Sequence, residues 1–380
     1  MNKRGNGEGT IFQRSDGGWR GQYTSADGKR HSINGKTQKE VAQKLRTIVN
    51  TMDKGEWVTP TQMTVGDWLR LWLRDYAPLA VRPSTLATYA DTINRQLLPA
   101  LGQYRIQDPR LSDRLQAFVN QQVKAGYAPA TVKRCIAVFQ AAMKKAVQNR
   151  ICFHNPATTV IKPKQQQKEI EFLTLDEIGR FLPCLPNNTQ GRALRFILGT
   201  GLRVGELCGL RWSDIDAEGI HVNQGAYSIQ QDGKMTTVFN APKTASGKRL
   251  IPTNDKLRAI LDEQRREQRQ DRLRTGSAWE GLTAGEGKQL IFATVTGRPA
   301  DRANISRCLR DTLKKAGLKS RGVHALRHTF ATQWVQAGGD IRTLSDEILG
   351  HSTVSFTMQR YVHSDTAIKR EGMNIMADII

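Results

Sequence analysis

The side chains best suited to chemistry lie in three clusters in the C-terminal half of the sequence. They are TGLRVGELCGLRW at 200–212, HALRHTFAT at 324–332, and LGH at 349–351 followed by RYVH at 360–363. In the first cluster Gly201 ends one predicted helix and Arg203 opens the next, which places a guanidinium where a helix N-terminus favours phosphate. Glu206, one turn later, could hold that guanidinium by a hydrogen bond, although this spacing is also common in surface salt bridges.

The second cluster places His324 and Arg327 one helical turn apart, so that both side chains share a face. His324 and His328 could instead bind a metal ion, but Ala325 occupies the position where a metalloprotease helix needs glutamate. Each residue also has a purely structural interpretation. The arginines could pair with acids, the histidines could lie in the core, and Tyr361 could belong to an amphipathic helix.

Two arginines, histidines and a tyrosine together suit the cleavage of a phosphodiester bond. A tyrosine hydroxyl can attack phosphorus to form a phosphotyrosine, which conserves the energy of the backbone bond. Two guanidiniums can neutralise the charge that develops on the non-bridging oxygens, a task that otherwise falls to a metal ion. A histidine can accept the proton of the tyrosine, and a lysine can protonate the departing sugar oxygen. We therefore expect no metal ion, no other cofactor and no ATP.

The composition points to nucleic acid as the partner. The 380 residues include 57 Lys and Arg against 35 Asp and Glu, a formal charge of +22 that attracts polyanions at long range. This length predicts two or three domains. We expect no membrane partner, because no run approaches the ~20 apolar residues that span a bilayer and the first ten residues lack the apolar segment of a secretory signal. Five dispersed cysteines indicate buried thiols in a reducing compartment.

The first 57 residues predict a small sheet backed by a helix. Gly17-Gly18 and Asp27-Gly28 separate three β-like runs, at 10–14, 19–24 and 29–33, which favours a three-stranded antiparallel sheet. A capping box at 37–40 then opens a helix. Such a unit can lay one face in the major groove of DNA, or it can be an ordinary capping subdomain.

The next segment, 64–160, predicts an all-α domain. Thr64 and Asp67 form a predicted cap, and Ser84 caps a second helix. Two further helices carry apolar stripes at 115–123 and 132–147, which are typical of a helical core.

A polar linker at 161–173 precedes a capping box at 174–177 and a mixed region. In that region helices alternate with a β segment between Ile220 and Pro252 and a short strand near 290–293. The predicted fold is therefore multidomain. It consists of a sheet-plus-helix domain at 1–57, an all-α domain at 64–160, the linker at 161–173, a mixed α+β but mainly helical catalytic domain at 174–365, and a C-terminal tail at 366–380.

The ordered set Arg203, His324-x-x-Arg327, Leu-Gly-His351 and Tyr361 resembles the catalytic signature of the tyrosine site-specific recombinases of the phage-integrase family. The motifs span roughly the C-terminal half. The helical segment resembles the core-binding domain of the family. The N-terminal sheet and helix resemble the arm-type DNA-binding domain found in integrases of temperate phages and integrative conjugative elements.

This resemblance implies a role for each residue of the signature. Tyr361 would be the nucleophile and would form a 3′-phosphotyrosyl link, while Arg203 and Arg327 would clamp the scissile phosphate. His324 would take part in proton transfer, and His351 would hydrogen-bond a non-bridging oxygen.

The family also uses a lysine in a β-hairpin, which corresponds here to 238–252. Lys243 matches best as the general acid and Lys248 is the second candidate. Glu206 would hold the guanidinium of Arg203 by a hydrogen bond.

We expect DNA contacts on two further parts of the chain. Near the starts of the second and fourth helices of 64–160, where N-termini favour phosphates, the candidates are Ser84, Thr85, Thr131, Lys133 and Arg134. In the N-terminal domain the basic candidates are Arg14, Arg20, Lys29 and Arg30.

The resemblance implies integration, and also excision, of a phage or integrative conjugative element by cleavage and rejoining of DNA. The acting species would be a homotetramer on double-stranded DNA with core-type and arm-type sites, aided by accessory directionality or DNA-bending proteins. It would work in the cytoplasm of a bacterial host, at the nucleoid. The tail at 366–380 would pack on its own domain or on a neighbouring subunit.

Two alternatives stay open. A resolvase or a type IB topoisomerase-like strand transferase would use the same chemistry, although the basic N-terminal domain favours an integrase. A protein with the same fold could instead bind a DNA sequence without cutting it.

Overall fold

The computed structural model describes residues 9–25, 28–53, 57–164, 171–231, 234–241, 247–280 and 289–350. Contacts between residues divide the chain into two units, Met1–Gln166 and Gln167–Ile380. The predicted multidomain architecture is confirmed: a small sheet with a helix is followed by a helical bundle, and then by a mainly helical unit with short strands.

The first unit begins with the predicted antiparallel sheet. Its strands β1 (Thr10–Gln13), β2 (Trp19–Thr24) and β3 (Arg30–Gly35) pair in sequence order, and α1 (Gln38–Asp53) packs on one face. Val41 and Leu45 of α1 are buried against Tyr23. Gly21 is needed for this close approach, because a Cβ atom there would lie 2.7 Å from a methyl group of Val41.

The rest of the first unit is helical. Its helices are α2 (Val65–Leu71), α3 (Ala77–Ala80), α4 (Pro83–Thr92), α5 (Leu98–Leu101), α6 (Leu111–Lys124) and α7 (Pro129–Gln148). Thr64 and Asp67 form the predicted reciprocal cap of α2. The side chains of Trp68 and Phe139 are fully buried in the bundle, and the Trp68 indole donates a hydrogen bond to the Ala142 carbonyl at 2.9 Å.

The prediction that Ser84 caps α4 is wrong. Arg82 is the N-cap residue, because Pro83 takes the first helical position, where its fixed φ fits and its missing N–H is no loss. Ser84 and Thr85 therefore lie inside the first turn rather than before it.

The second unit has six α-helices among its described residues. They are α8 (Leu175–Phe181), α9 (Thr189–Thr200), α10 (Val204–Gly209), α11 (Asp255–Thr275), α12 (Arg302–Lys315) and α13 (His324–Gln336), and a π-helical segment, Thr343–Leu349, follows them. The predicted cap at Thr174 and Glu177 opens α8. Leu173, placed in the predicted linker, is already buried in this unit and donates its backbone N–H to the Thr329 hydroxyl at 2.8 Å.

The strands of the second unit pair differently from the prediction. β4 (Gly219–Val222) pairs with β7 (Arg249–Pro252), and β5 (Gly225–Gln231) pairs with β6 (Lys234–Asn240). The hairpin predicted over 238–252 is therefore wrong, since β6 and β7 belong to different two-stranded sheets. The short strand predicted near 290–293 is reduced to two isolated bridges, at Leu290 and Ala293.

All five cysteines are free thiols, and Cys135, Cys152 and Cys208 are buried. Burial raises the pKa of Cys208 to about 12. In the described part of the chain, no helix is both long enough and apolar enough to cross a bilayer.

Candidate active site

A tight turn positions the first arginine of the site. Helix α9 ends at Thr200, and the next residue, Gly201, caps it in a left-handed conformation with φ of 66°. A Cβ atom at this position would lie 2.7 Å from the Phe330 ring, so that only glycine fits. The turn makes Arg203 the N-cap residue of α10, and 35% of its side chain is exposed.

Glu206 is hydrogen-bonded directly to Arg203. Its carboxylate accepts hydrogen bonds from the backbone N–H of Arg203 at 2.9 Å and from the Arg203 guanidinium at 2.7 Å. Only 7% of the Glu206 side chain is exposed, and it also binds the guanidinium of Arg249 through Nη2 at 2.8 Å. The expected contact with Arg203 is therefore present, but as part of a buried cluster rather than as a surface salt bridge.

The charges around Glu206 determine its ionisation. Burial alone would raise the pKa of its carboxyl group, but the hydrogen bond and charge of Arg249, with a further contribution from Arg203, lower it to about 2. Glu206 is therefore a carboxylate at neutral pH, and it orients both guanidiniums.

Helix α13 supplies the second arginine and a histidine. Arg327 is 2% exposed, and its guanidinium donates hydrogen bonds to the carbonyls of Gly201 at 2.6 Å and Leu349 at 2.7 Å. His324 begins the helix, and its ring stacks on that of His328 with 6.0 Å between centroids. Partial burial, followed by the positive charges of Arg327 and Arg203, lowers the pKa of His324. Its ring is therefore neutral near pH 7 and able to accept a proton.

Three arginines converge on three consecutive carbonyls at the end of the π-helical segment. The Ile348 carbonyl accepts from Nε of Arg249 at 2.6 Å, Leu349 from Arg327 at 2.7 Å, and Gly350 from Arg203 at 3.3 Å. The last carbonyls of a helix have no partners within it and carry partial negative charge, which cations complement. The site is thus assembled around the residues that immediately precede His351.

Three predicted site residues, Lys243, His351 and Tyr361, lie outside the described residues. Lys248 is exposed and directly precedes β7. The predicted residues Arg203, Glu206, His324 and Arg327 come together as described above.

Sequence reasoning missed two basic residues near this cluster. Arg249 occupies the first position of β7, and a charged residue in the short apolar run Arg-Leu-Ile-Pro was the available signal. Arg302 begins α12, and its positive charge contributes to the low pKa of His324. Nothing in the local sequence connects Arg302 with α13.

The N-terminal sheet presents basic side chains on the face opposite α1. Trp19 and Tyr23 pack towards α1, so by alternation Arg20 and Thr24 point away from it. Arg20 bonds the Asn34 side chain at 3.1 Å, and Arg30 pairs with Thr24 across the sheet, which puts Arg30 on the same outer face. Of the other two candidates, Arg14 lies at the first turn in an ion pair with Asp16, and Lys29 lies at the second turn.

The helical candidates lie where they were expected, apart from the cap at Ser84. Thr131, Lys133 and Arg134 occupy the first turns of α7, which begins at Pro129. Neither Lys133 nor Arg134 forms a salt bridge with a carboxylate of the described residues.

Metal binding is the alternative role for the histidines of α13. Over the residues that the structure describes, no group of three or more His, Cys, Asp and Glu side chains could hold a metal ion. The His324–His328 pair therefore has no third ligand of these types in that part of the chain.

Known proteins resemble this chain along most of its length. A tyrosine recombinase XerC-like protein of Caldanaerobacter subterraneus subsp. tengcongensis is 29% identical over 374 residues, which covers 92% of each chain. The fold matches the Tn1549 transposon integrase in complex with transposon right end DNA, with a TM-score of 0.68 and 22% identity over 83% of this chain and 100% of that one. It also matches a lambda integrase tetramer bound to a Holliday junction, with a TM-score of 0.55 and 19% identity over 94% and 96% of the two chains.

Two family profiles match the sequence directly. Residues 64–121 match the N-terminal SAM-like domain of phage integrases. Residues 171–367, which include every residue of the predicted catalytic signature, match the phage integrase family itself. The chain therefore belongs to the phage integrase family of tyrosine recombinases, enzymes that break and rejoin DNA strands.

Proposed function

We propose that this chain integrates and excises a mobile DNA element by cutting DNA with Tyr361. The observation that carries this proposal is the convergence of Arg203 and Arg327 on the carbonyls just before His351, with His324 one helical turn from Arg327 on α13. These groups supply charge stabilisation and a proton acceptor in one place, and neither task requires a metal ion.

The chemical step consists of one substitution at phosphorus. The Tyr361 hydroxyl attacks the scissile phosphate, the bond to the 5′ oxygen breaks, and a 3′-phosphotyrosine forms. His324 accepts the tyrosine proton, and Lys243, or Lys248 as the second candidate, protonates the departing 5′ oxygen. Attack by a 5′ hydroxyl on the phosphotyrosine reverses every transfer and rejoins a strand.

The two arginines stabilise the charge that develops during this step. We assign both guanidiniums to the non-bridging oxygens, together with His351, and a single such donor contributes about 10²–10³-fold in rate. Arg203 is the more exposed of the two, while Arg327 is held by two backbone carbonyls. The N–H donors of each guanidinium have fixed directions, which suits the binding of a phosphate in a single orientation.

We assign a separate task to each domain of the chain. Residues 174–365 cut DNA, residues 64–160 hold the core site, and residues 1–57 bind an arm site. Residues 161–173 link the helical and catalytic domains, and 366–380 form a tail that docks within its own domain or on a neighbour. Two linked DNA-binding modules gain affinity from effective concentration when both sites lie on one molecule of DNA.

The assembly proposed is a homotetramer on two duplexes. The lambda integrase tetramer on a Holliday junction, which has this fold, supports the proposal. Accessory directionality or DNA-bending proteins would set the balance between integration and excision. The site of action would be the nucleoid of a bacterial cell.

A covalent trapping experiment tests the chemistry without knowledge of the target. The full chain is incubated, with excess chelator, with a pool of nicked duplexes that carry a randomised centre, and then denatured with SDS. We expect protein-linked DNA, enriched for one sequence, with the phosphate on the peptide that contains Tyr361. Tight DNA binding without any adduct would favour a DNA-binding protein that does not cut, and an adduct that requires a metal ion would contradict the mechanism.

Lys133→Ala combined with Arg134→Ala should weaken DNA binding through lost phosphate contacts. Each phosphate contact contributes about 0.9 to the slope of log affinity against log salt, so the double variant should lower that slope by about two. Fluorescence anisotropy with a short duplex at several salt concentrations measures this change. Arg70→Ala combined with Arg74→Ala is the matched control, because each of these arginines already pairs with a carboxylate. Equal slopes for the wild type and the first variant would contradict the assignment.

Arg20→Ala combined with Arg30→Ala should abolish recognition of the arm site and leave recognition of the core site unchanged. Selection of intact duplexes from a randomised pool should give two unrelated sequence motifs with the wild type and one with this variant. Lys44→Ala is the control, because Lys44 lies on α1 in an ion pair with Glu40 at 2.6 Å. Recovery of both motifs with the double variant would show that the outer face of the sheet does not read DNA.

A further inference from the structure

Arg249 is one of the three arginines that reach the end of the π-helical segment, and its side chain is buried. Only 2% of its side chain is exposed, and the mechanism proposed above gives it no contact with the phosphate. It donates to both carboxylate oxygens of Glu206, at 2.8 and 3.2 Å, to the Ile348 carbonyl at 2.6 Å and to the Gly247 carbonyl at 3.1 Å. Every nitrogen of the guanidinium is therefore engaged with protein.

These partners lead to three different parts of the proposed machinery. Glu206 holds the Arg203 guanidinium at 2.7 Å. Ile348 lies three residues before His351, and Gly247 lies four residues after Lys243. One planar group, the Arg249 guanidinium, therefore bonds Glu206, Ile348 and Gly247 at once.

We propose that Arg249 is a positioning residue that holds Arg203 and the segments leading to His351 and Lys243 in register for strand cleavage. The proposal rests on the proposed function for the roles of those residues. A guanidinium suits this task because its donors have fixed directions in one plane, whereas a lysine offers its donors from a single point.

A buried arginine away from the site, in the same unit, provides a structural comparison. Arg192, on α9, is 4% exposed and bonds the side chains of Gln264, Asn187 and Glu267. None of these partners leads to a proposed catalytic residue. Arg192 therefore resembles Arg249 in being buried and paired with a carboxylate, here Glu267, but its partners do not connect it with the site.

Three full-length variants separate positioning from general stability: Arg249→Met, Arg249→Lys and Arg192→Met. We expect Arg249→Met to slow adduct formation at saturating DNA by about 100-fold, because a displacement of about 1 Å at a reacting centre costs that much. The Kd for DNA should stay within twofold, so that the loss falls on the rate and not on binding. Arg249→Lys should recover about tenfold of the rate, and Arg192→Met should cleave at the wild-type rate.

A second readout is independent of activity. Amide hydrogen exchange in peptides that cover 343–350 should be about tenfold faster in Arg249→Met and unchanged in Arg192→Met, because Ile348 loses the group that fixes its carbonyl. If Arg249→Met does not fold, Arg249→Lys carries the test, with native exchange elsewhere in the chain and cleavage about tenfold slower than the wild type.

Several outcomes would overturn the proposal. They are wild-type cleavage by Arg249→Met, unchanged exchange at 343–350, or an equal loss of cleavage in Arg192→Met. If the wild type itself forms no adduct, the proposed function fails, while hydrogen exchange still decides whether Arg249 holds this segment.

Discussion

Tyr361→Phe should reduce covalent attachment to DNA to background, a loss of about 10⁴-fold or more. The substitution removes only the attacking oxygen, and loss of a nucleophile removes nearly all the rate that depends on covalent chemistry. Affinity for DNA should stay within about twofold, because binding depends on phosphate contacts elsewhere. SDS-resistant protein–DNA adducts measure the first quantity, and anisotropy with the same duplex measures the second.

Tyr227→Phe is the matched control for this experiment. Tyr227 lies on β5, with its ring 5.8 Å from the guanidinium of Arg302, and the proposed mechanism gives it no role. It should form adducts at the wild-type rate. Adducts in Tyr361→Phe at an undiminished level would identify another nucleophile and would remove the basis of the proposed mechanism.

Glu206→Gln should destabilise the second unit and slow cleavage as well. It leaves the buried guanidinium of Arg249 without its carboxylate, and breaking a buried ion pair from one side costs about 3–5 kcal/mol. For a unit of this size we expect Tm to fall by about 10 °C. Asp176→Asn is the control, because Asp176 forms an exposed pair with Arg180, and it should cost less than about 1 kcal/mol. Calorimetry of both variants makes the comparison, and an equal loss in the two would contradict a special role for the buried cluster.

The pKa of Glu206 gives this prediction a pH dependence. Its value falls from an ordinary 4.5 to about 2 in the folded protein. The stability that the carboxylate contributes is therefore complete above pH 4.5 and is lost as the pH falls towards 2, and it amounts to about 3 kcal/mol. Urea unfolding between pH 6 and 2.5 should show a steeper loss of stability in the wild type than in Glu206→Gln. Parallel curves would show that Glu206 is not the titrating group.

Local spacing explains why much of the site could be predicted from sequence. Residues three apart on a helix share a face, so the spacing alone groups Arg203 with Glu206 and His324 with Arg327. The cap at Thr64 and the three N-terminal strands are predictable for the same reason, since side-chain capping and tight turns depend on adjacent residues.

Pairing between distant segments explains the errors. β7 pairs with β4, so that Arg249 lies opposite Val222, and β6 pairs with β5. The sequence between β6 and β7 resembles a hairpin turn. Such a turn signal does not show that each of these strands already pairs with an earlier strand, β6 with β5 and β7 with β4. Arg249 was missed for a related reason: its partners Glu206 and Ile348 lie 43 and 99 residues away. The error at Ser84 has a local cause. Pro83 is favoured at the first position of a helix, so the helix begins there and the N-cap falls on Arg82 instead of Ser84.

The hydrogen bonds from three arginines to the end of the π-helical segment also determine when a newly synthesised chain can begin to cut DNA. The three arginines reach 348–350 across separations of 147, 99 and 22 residues, so the set forms only after most of the unit has been synthesised and folded. Contacts between such distant segments form late, since chain entropy opposes them until local structure is in place. A nascent or truncated chain that ends before residue 348 retains its basic surfaces but lacks both the carbonyls that align the arginines and the proposed nucleophile, Tyr361. Incomplete copies of this protein would therefore occupy DNA without breaking it.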